Sequence, residues 1–265
     1  MSETPGWTPV SGALRAWRAG QGPRVVFLHG FTQTSYSWRP IAGLIASRGF
    51  ESVVVDLPGH GGSAAVRADL RTGGDILAAL GPAVYVGYSL GGRFALHTAL
   101  AHPNAARALV LIGVNPGIDD ELERSRRRAA DDQLAIRIEQ QGLDAFLDDW
   151  IRLPLFGGIT LDATERQARL TNTPVGLADS LRLAGTGTQL SLWPRLMELN
   201  MPVLAIAGED DHKFVAISRQ LAASVPQGEA TSVIRAAHAA HLQQPEVVTQ
   251  LILDLLRSPL LSPAQ

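Results

Sequence analysis

The stretch AVYVGYSLGGRFALHTALAHP, residues 83–103, decides how the rest of the chain is read. AVYVGYS (83–89) has the composition of a buried strand, and LGGRFALHTALAHP (90–103) is a helical stretch that stops before Pro103. At the junction, Gly87-Tyr88-Ser89-Leu90-Gly91 fits the pattern G-x-S-x-G. In that arrangement a strand turns sharply into a helix and holds a serine in strained backbone geometry, and the flanking glycines let helix and strand approach closely. Any glycine-rich chain produces the five-residue pattern by chance, as an ordinary strand-to-helix turn. Here it follows a strand and opens a helix, which makes Ser89 a candidate nucleophile.

Working outward, short apolar runs alternate with Ala/Leu-rich stretches. RVVFLHG (24–30), ESVVVDLPGHG (51–61) and ARALVLIGV (106–114) read as strands, and WRPIAGLIASRG (38–49) as a helix ended by Gly49. The strands are continuously apolar, as expected when helices cover both faces of a parallel sheet. The alternation predicts an α/β fold: a mostly parallel central sheet flanked by helices. From about residue 116 to 195 the pattern is helical, with one or two amphipathic helices over 121–150 and no convincing strand. Strands resume at MPVLAIAGEDD (201–211) and ATSVIRAAH (230–238), before a closing helix at 246–258. The organisation is therefore a core in two parts, 1–115 and 196–265, with a helical cap, 116–195, inserted between them.

With 265 residues, 46% of them hydrophobic, the chain is long enough for one sizeable core. A formal net charge of −2 with no charged tail argues against a nucleic-acid partner. The absence of cysteine excludes disulfides, thiol nucleophiles and cysteine metal sites. The polar start, MSETPGWTPVSG, lacks the features of a signal peptide, and no apolar run approaches the ~20 residues of a membrane-spanning helix. A cytoplasmic protein without membrane insertion is expected, with no obligatory protein partner inferred and SPLLSPAQ (258–265) as a frayed tail.

A catalytic serine needs a base, and the base an orienting acid, which follow it in chain order as acid and then histidine. AGEDDH offers Asp210 and Asp211 just past a strand, and AAHAAH offers His238 and His241 past the last one. His60 precedes the serine and His97 points along a helix, so neither suits the base. An oxyanion hole needs two backbone N–H groups. Leu90 supplies one at a helix N-terminus, and Phe31, in the HGFTQT loop after the first apolar strand, supplies the other. Arg93 lies four residues after Ser89, one helical turn along the same face, and its side chain leans back towards the serine. A charge there either meets a substrate carboxylate or forms a structural salt bridge to a nearby acid.

At these residues the sequence resembles the α/β-hydrolase superfamily. LHGF, DLPGHGGSA, VGYSLGGR, DDWIRLPLF, LADSLRLAGTGTQLSLWPRL and GEDDHKF are more specific, and together resemble the MenH family, 2-succinyl-6-hydroxy-2,4-cyclohexadiene-1-carboxylate (SHCHC) synthases of menaquinone biosynthesis. The likeness runs from about residue 25 to 255, cap included. It implies the α/β-hydrolase fold with an inserted cap and selects Asp211 and His238 as the partners of Ser89. Ala237 stands where the family has glycine before the histidine. The implied activity is a carbon–oxygen lyase eliminating pyruvate from an enolpyruvyl cyclohexene carboxylate, with the serine as base and with no metal or organic cofactor. The implied substrate is a small polycarboxylate. Its contacts would be Tyr88, Arg93, Arg127, Trp150, Arg169 and Lys213, with Arg126 and Arg128 left on the surface. A serine hydrolase of an ester or carbon–carbon bond, using the same triad, is the alternative.

Overall fold

The computed structural model describes residues 6–261. Eight strands form one sheet: β1 (Thr8–Val10), β2 (Ala16–Ala19), β3 (Arg24–Leu28), β4 (Glu51–Val55), β5 (Ala83–Tyr88), β6 (Ala106–Ile112), β7 (Val203–Gly208) and β8 (Gly228–Val233). Their order is β1-β2-β4-β3-β5-β6-β7-β8. β1 and β2 pair antiparallel, as do β2 and β4, and every later pairing is parallel. All six residues of β5 are buried, because helices pack on both faces.

Three helices follow strands in the first part of the core: α1 (Arg39–Ala46), α2 (Leu70–Ala78) and α3 (Leu90–Ala101). Between β6 and β7 the chain forms only helical elements among the described residues, the longest being α4 (Glu121–Gln141), α5 (Leu143–Ile151), α6 (Ala163–Arg169) and α7 (Pro174–Ala184). The single stretch 121–150 divides into α4 and α5 at Gly142, whose φ of 81° ends one helix and opens the next. This segment has its own small apolar centre, built from Ala135, Ile138, Phe146, Leu177, Ala178 and Leu181. The last part of the core adds α8 (His212–Ala223), α9 (Ala240–Gln243) and α10 (Pro245–Leu256).

Chain order reverses between β3 and β5: β4 lies on one side of β3, and β5 and β6 lie on the other. Open sheets of this kind bind ligands at the carboxyl ends of the strands beside such a reversal. Phe31 follows β3 and Ser89 follows β5, so the two strands at the reversal carry the candidate chemistry. Residues 259–261 form a short 3-10 turn rather than a frayed end, and the remainder of the expected tail lies outside the described residues. No described helix is long and apolar enough to cross a membrane.

Candidate active site

The turn after β5 explains its glycines. Ser89 has φ 48° and ψ −107°, outside the ordinary helix and strand regions. A Cβ on Gly87 would sit 2.5 Å from the backbone of Gly92, and one on Gly91 would fall on the Leu28 carbonyl of β3. The helix α3 therefore starts directly against the sheet, and Ser89, half-buried, stands at the mouth of a cavity of about 700 Å³.

Asp211 and His238 come together, although 27 residues separate them. Asp211 follows β7 and caps α8, accepting the Phe214 amide at 3.3 Å. Its other oxygen lies 2.7 Å from Nδ1 of His238. Asp210 is exposed, and His241 is buried between the Tyr88 and Trp38 rings with Nε2 3.2 Å from the Gln33 amide nitrogen. Burial holds His241 well below the usual imidazole range, which suits a neutral packing residue. Ala237 lacks a positive φ, so its backbone needs no glycine. Among the described residues no hydrogen bond joins Ser89 to His238. The ring of His238 is enclosed by Phe214 and Tyr88, at centroid distances of 4.4 and 5.3 Å.

Residues Gly30–Gln33 form a turn closed by the Gln33 amide on the Gly30 carbonyl at 3.1 Å. A Cβ on Gly30 would strike the Tyr88 ring at 2.5 Å, so only glycine lets this turn lie on the elbow. Neither the Phe31 nor the Leu90 amide donates a hydrogen bond among those described, and both residues line the cavity. Leu90 is the first residue of α3, where an N–H has no intrahelical acceptor and the helix dipole favours negative charge.

Cations line the same cavity. Arg93 is 8% exposed, and its Nη1 donates to the Ala184 carbonyl at 2.7 Å and to Gln189 at 3.4 Å. No carboxylate pairs with it among the described residues, so a direct structural salt bridge does not account for it. Burial lowers its pKa to about 10, partly countered by Asp131, which leaves it charged at neutral pH. Arg127 also lines the cavity, half exposed, with Nε 2.7 Å from buried Asp131. Lys213 stands exposed at the edge. Tyr88 and Trp150 complete the wall; the Trp150 ring lies 5.3 Å from Phe31, and its buried N–H has no partner. Arg126 and Arg128 are both exposed, and Arg128 donates to the Gly187 carbonyl at 3.2 Å.

Arg169 stands apart from the other cations. It lies off the main cavity, behind the Phe31 turn, with Nε 2.9 Å from Glu165 and Nη1 3.0 Å from the Thr32 hydroxyl. These contacts commit Nε and Nη1 to protein acceptors, while no hydrogen bond of Nη2 is described. The cavity also holds residues that no motif singled out, among them Asn115, Ser180 and Phe214. Thr186 and Trp193 line it too, from the stretch GTGTQLSLW that carried part of the family resemblance without a role.

The α/β-hydrolase family model matches residues 25–251. A protein of Bacillus subtilis described as a putative SHCHC synthase is 35% identical, over 94% of this chain and 97% of its own length. The SHCHC synthase of Serratia proteamaculans is 33% identical over 89% of this chain and 94% of its own. The structure of MenH from S. aureus superposes with a TM-score of 0.86 at 30% identity, covering 91% of this chain and 97% of that one. An esterase of Thermogutta terrifontis, at 23% identity and a TM-score of 0.79, shares the fold. With the sheet, the elbow and these likenesses in agreement, the chain belongs to the MenH family of SHCHC synthases within the α/β-hydrolases.

Proposed function

We propose that this chain is the SHCHC synthase of menaquinone biosynthesis, a carbon–oxygen lyase. It eliminates pyruvate from 2-succinyl-5-enolpyruvyl-6-hydroxy-3-cyclohexene-1-carboxylate. The observation that carries the reading is Arg93, a buried cation without a carboxylate partner in the cavity that Ser89 opens onto. A neutral ester would leave that charge uncompensated, while a substrate carboxylate neutralises it. Arg127 and Lys213 in the same wall extend the match to a substrate bearing several carboxylates.

In this reading Ser89 is a base. His238, oriented through Nδ1 by Asp211, accepts the Ser89 proton through Nε2 once the hydroxyl swings into reach. The Ser89 oxygen takes the proton from a ring carbon made acidic by conjugation with the succinyl carbonyl. Electron density moves onto that carbonyl oxygen, where the Phe31 and Leu90 amides stabilise it. The carbon–oxygen bond to the enolpyruvyl group then breaks, a ring double bond forms, and the released enolpyruvate tautomerises to pyruvate. Tyr88 has no hydrogen-bond partner among the described residues, so its hydroxyl is free to donate to the substrate.

A coupled assay of pyruvate release from the enolpyruvyl substrate tests the reading. Wild type releases pyruvate and Ser89→Ala does not. Turnover of p-nitrophenyl esters without pyruvate release would return Ser89 to the nucleophile of a hydrolase.

A further inference from the structure

The turn that carries Phe31 is gripped from the cap. Thr32, the third residue of the Gly30–Gln33 turn, has φ 68° and is fully buried. A positive φ at that position is the mark of a type II turn, normally filled by glycine or asparagine. For a β-branched residue it is an outlier, and such an outlier persists only where its surroundings over-determine it.

Those surroundings belong to α6 and the residues just after it. The Asn172 side chain donates to the Thr32 carbonyl at 2.8 Å and accepts the Gly61 amide at 2.8 Å. Arg169 donates to the Thr32 hydroxyl at 3.0 Å. Glu165 holds Arg169 at 2.9 Å and accepts the Ser37 hydroxyl at 2.7 Å. Asn172, Arg169 and Glu165 are all buried. Two polar side chains from the cap, Asn172 and Arg169, thus converge on one strained residue of the core, next to the amide assigned to the oxyanion hole, and Glu165 braces Arg169 behind it.

We infer that Asn172 and Arg169 are positioning residues: they hold Thr32 in its left-handed conformation and thereby fix the Phe31 amide at the reacting carbonyl. The inference rests on the reading of Phe31 as an oxyanion donor. It assigns Arg169 a task distinct from substrate contact. It also makes the oxyanion hole a joint product of cap and core.

The test is a rescue. Asn172→Ala removes the donor to the Thr32 carbonyl. Thr32→Gly removes the need for it, because glycine adopts positive φ without steric cost. Asn172→Ala is expected to lower kcat about tenfold with KM within twofold, a part of the roughly 10²–10³-fold that loss of an oxyanion donor costs. Hydrogen exchange of the peptide spanning 29–36, read by mass spectrometry, should rise at the same time. Adding Thr32→Gly should recover most of kcat and slow the exchange again. If Asn172→Ala fails to fold, Asn172→Asp, which keeps the acceptor for Gly61, takes its place. Unchanged exchange in the Asn172 variant, or no recovery of exchange with Thr32→Gly, would overturn the inference. Absence of pyruvate release by wild type would count against the lyase reading, and the exchange measurement would still decide the role of Asn172.

Discussion

Replacing Arg93 is the sharpest perturbation of this site. Its Nη1 is committed to the Ala184 carbonyl at 2.7 Å, while its Nε and Nη2 have no partner among the described residues. That free edge matches the two oxygens of a carboxylate. Two charge-assisted hydrogen bonds at about 1.5–3 kcal/mol each give an upper range of about 3–6 kcal/mol. Water entering the truncated site returns part of this, which leaves about 3 kcal/mol, or roughly 100-fold in kcat/KM. Arg93→Ala should show that loss in the pyruvate-release assay, mainly through KM if the contact is equal in ground and transition states. Arg93→Lys keeps the charge and loses the fork, so a smaller loss of about tenfold is expected. Removing Arg93 also frees the Ala184 carbonyl, so folding must be monitored separately by thermal unfolding. A folded Arg93→Ala enzyme within threefold of wild type would refute the carboxylate role.

Three further outcomes follow from the geometry. Gly91→Ala should destabilise the fold by more than about 2 kcal/mol in urea unfolding, since its Cβ would meet the rigid Leu28 carbonyl of β3 and not a yielding side chain. Asp131→Asn should raise KM about tenfold, and a clearly smaller effect should remain in an Arg127→Ala background, where the 2.7 Å pair is gone and only the charge it sets against Arg93 is left; a double-mutant cycle of kcat/KM checks this, and equal effects in both backgrounds would refute the role of the pair. Burial lowers the pKa of His29 to about 4 and of His60 to about 3, so in acid the unfolded chain takes up protons that the folded one refuses. Stability should therefore fall between pH 6.5 and 5, by about 2 kcal/mol for each of the two histidines, as read by urea unfolding at the two pH values.

The sequence disclosed the elements whose pattern is local. β5 and α3 were legible because a six-residue apolar run meets an Ala/Leu-rich helix across two glycines. The hairpin of β1 and β2 was not, because TPV and AWRA are too short for any periodicity to show and are fixed by pairing with each other and, for β2, with β4. Likewise α2 opens on Leu-Arg-Thr-Gly-Gly, where glycines lower helix propensity; they are needed because Cβ atoms there would strike Phe94 and the α3 backbone. Among site residues, chain order leaves two candidates for the acid and two for the base; the family resemblance points to Asp211 and His238, and the fold brings those two together while Asp210 is exposed and His241 is packed between rings. The partners of Arg169 are equally invisible in the sequence. A cation in a cap sequence gives no sign that Glu165, one helical turn earlier, and Thr32, in a distant loop, already hold it.

The charges around the cavity carry the argument from fold to chemistry. An elbow serine, an Asp–His pair and two free amides serve ester hydrolysis as well as proton abstraction, so they leave the reaction open. Arg93 and Arg127 share one buried counter-charge, Asp131, which pairs directly with Arg127 and offsets part of the burial cost of Arg93. Asp119, Asp120 and Glu123 also line the cavity, so the unpaired positive charge is local to Arg93, the buried cation that has no carboxylate partner among the described residues. Exposed Lys213, two residues beyond Asp211 on α8, also lines the cavity and offers a second cation to the polycarboxylate of the proposed reading. In the proposed reading it is Arg93, more than the triad itself, that separates this cavity from the site of an ester hydrolase. On the proposed lyase reading, a substrate carboxylate anchored at Arg93 holds the ring so that an acidic carbon, and not an ester bond, meets the Ser89 oxygen.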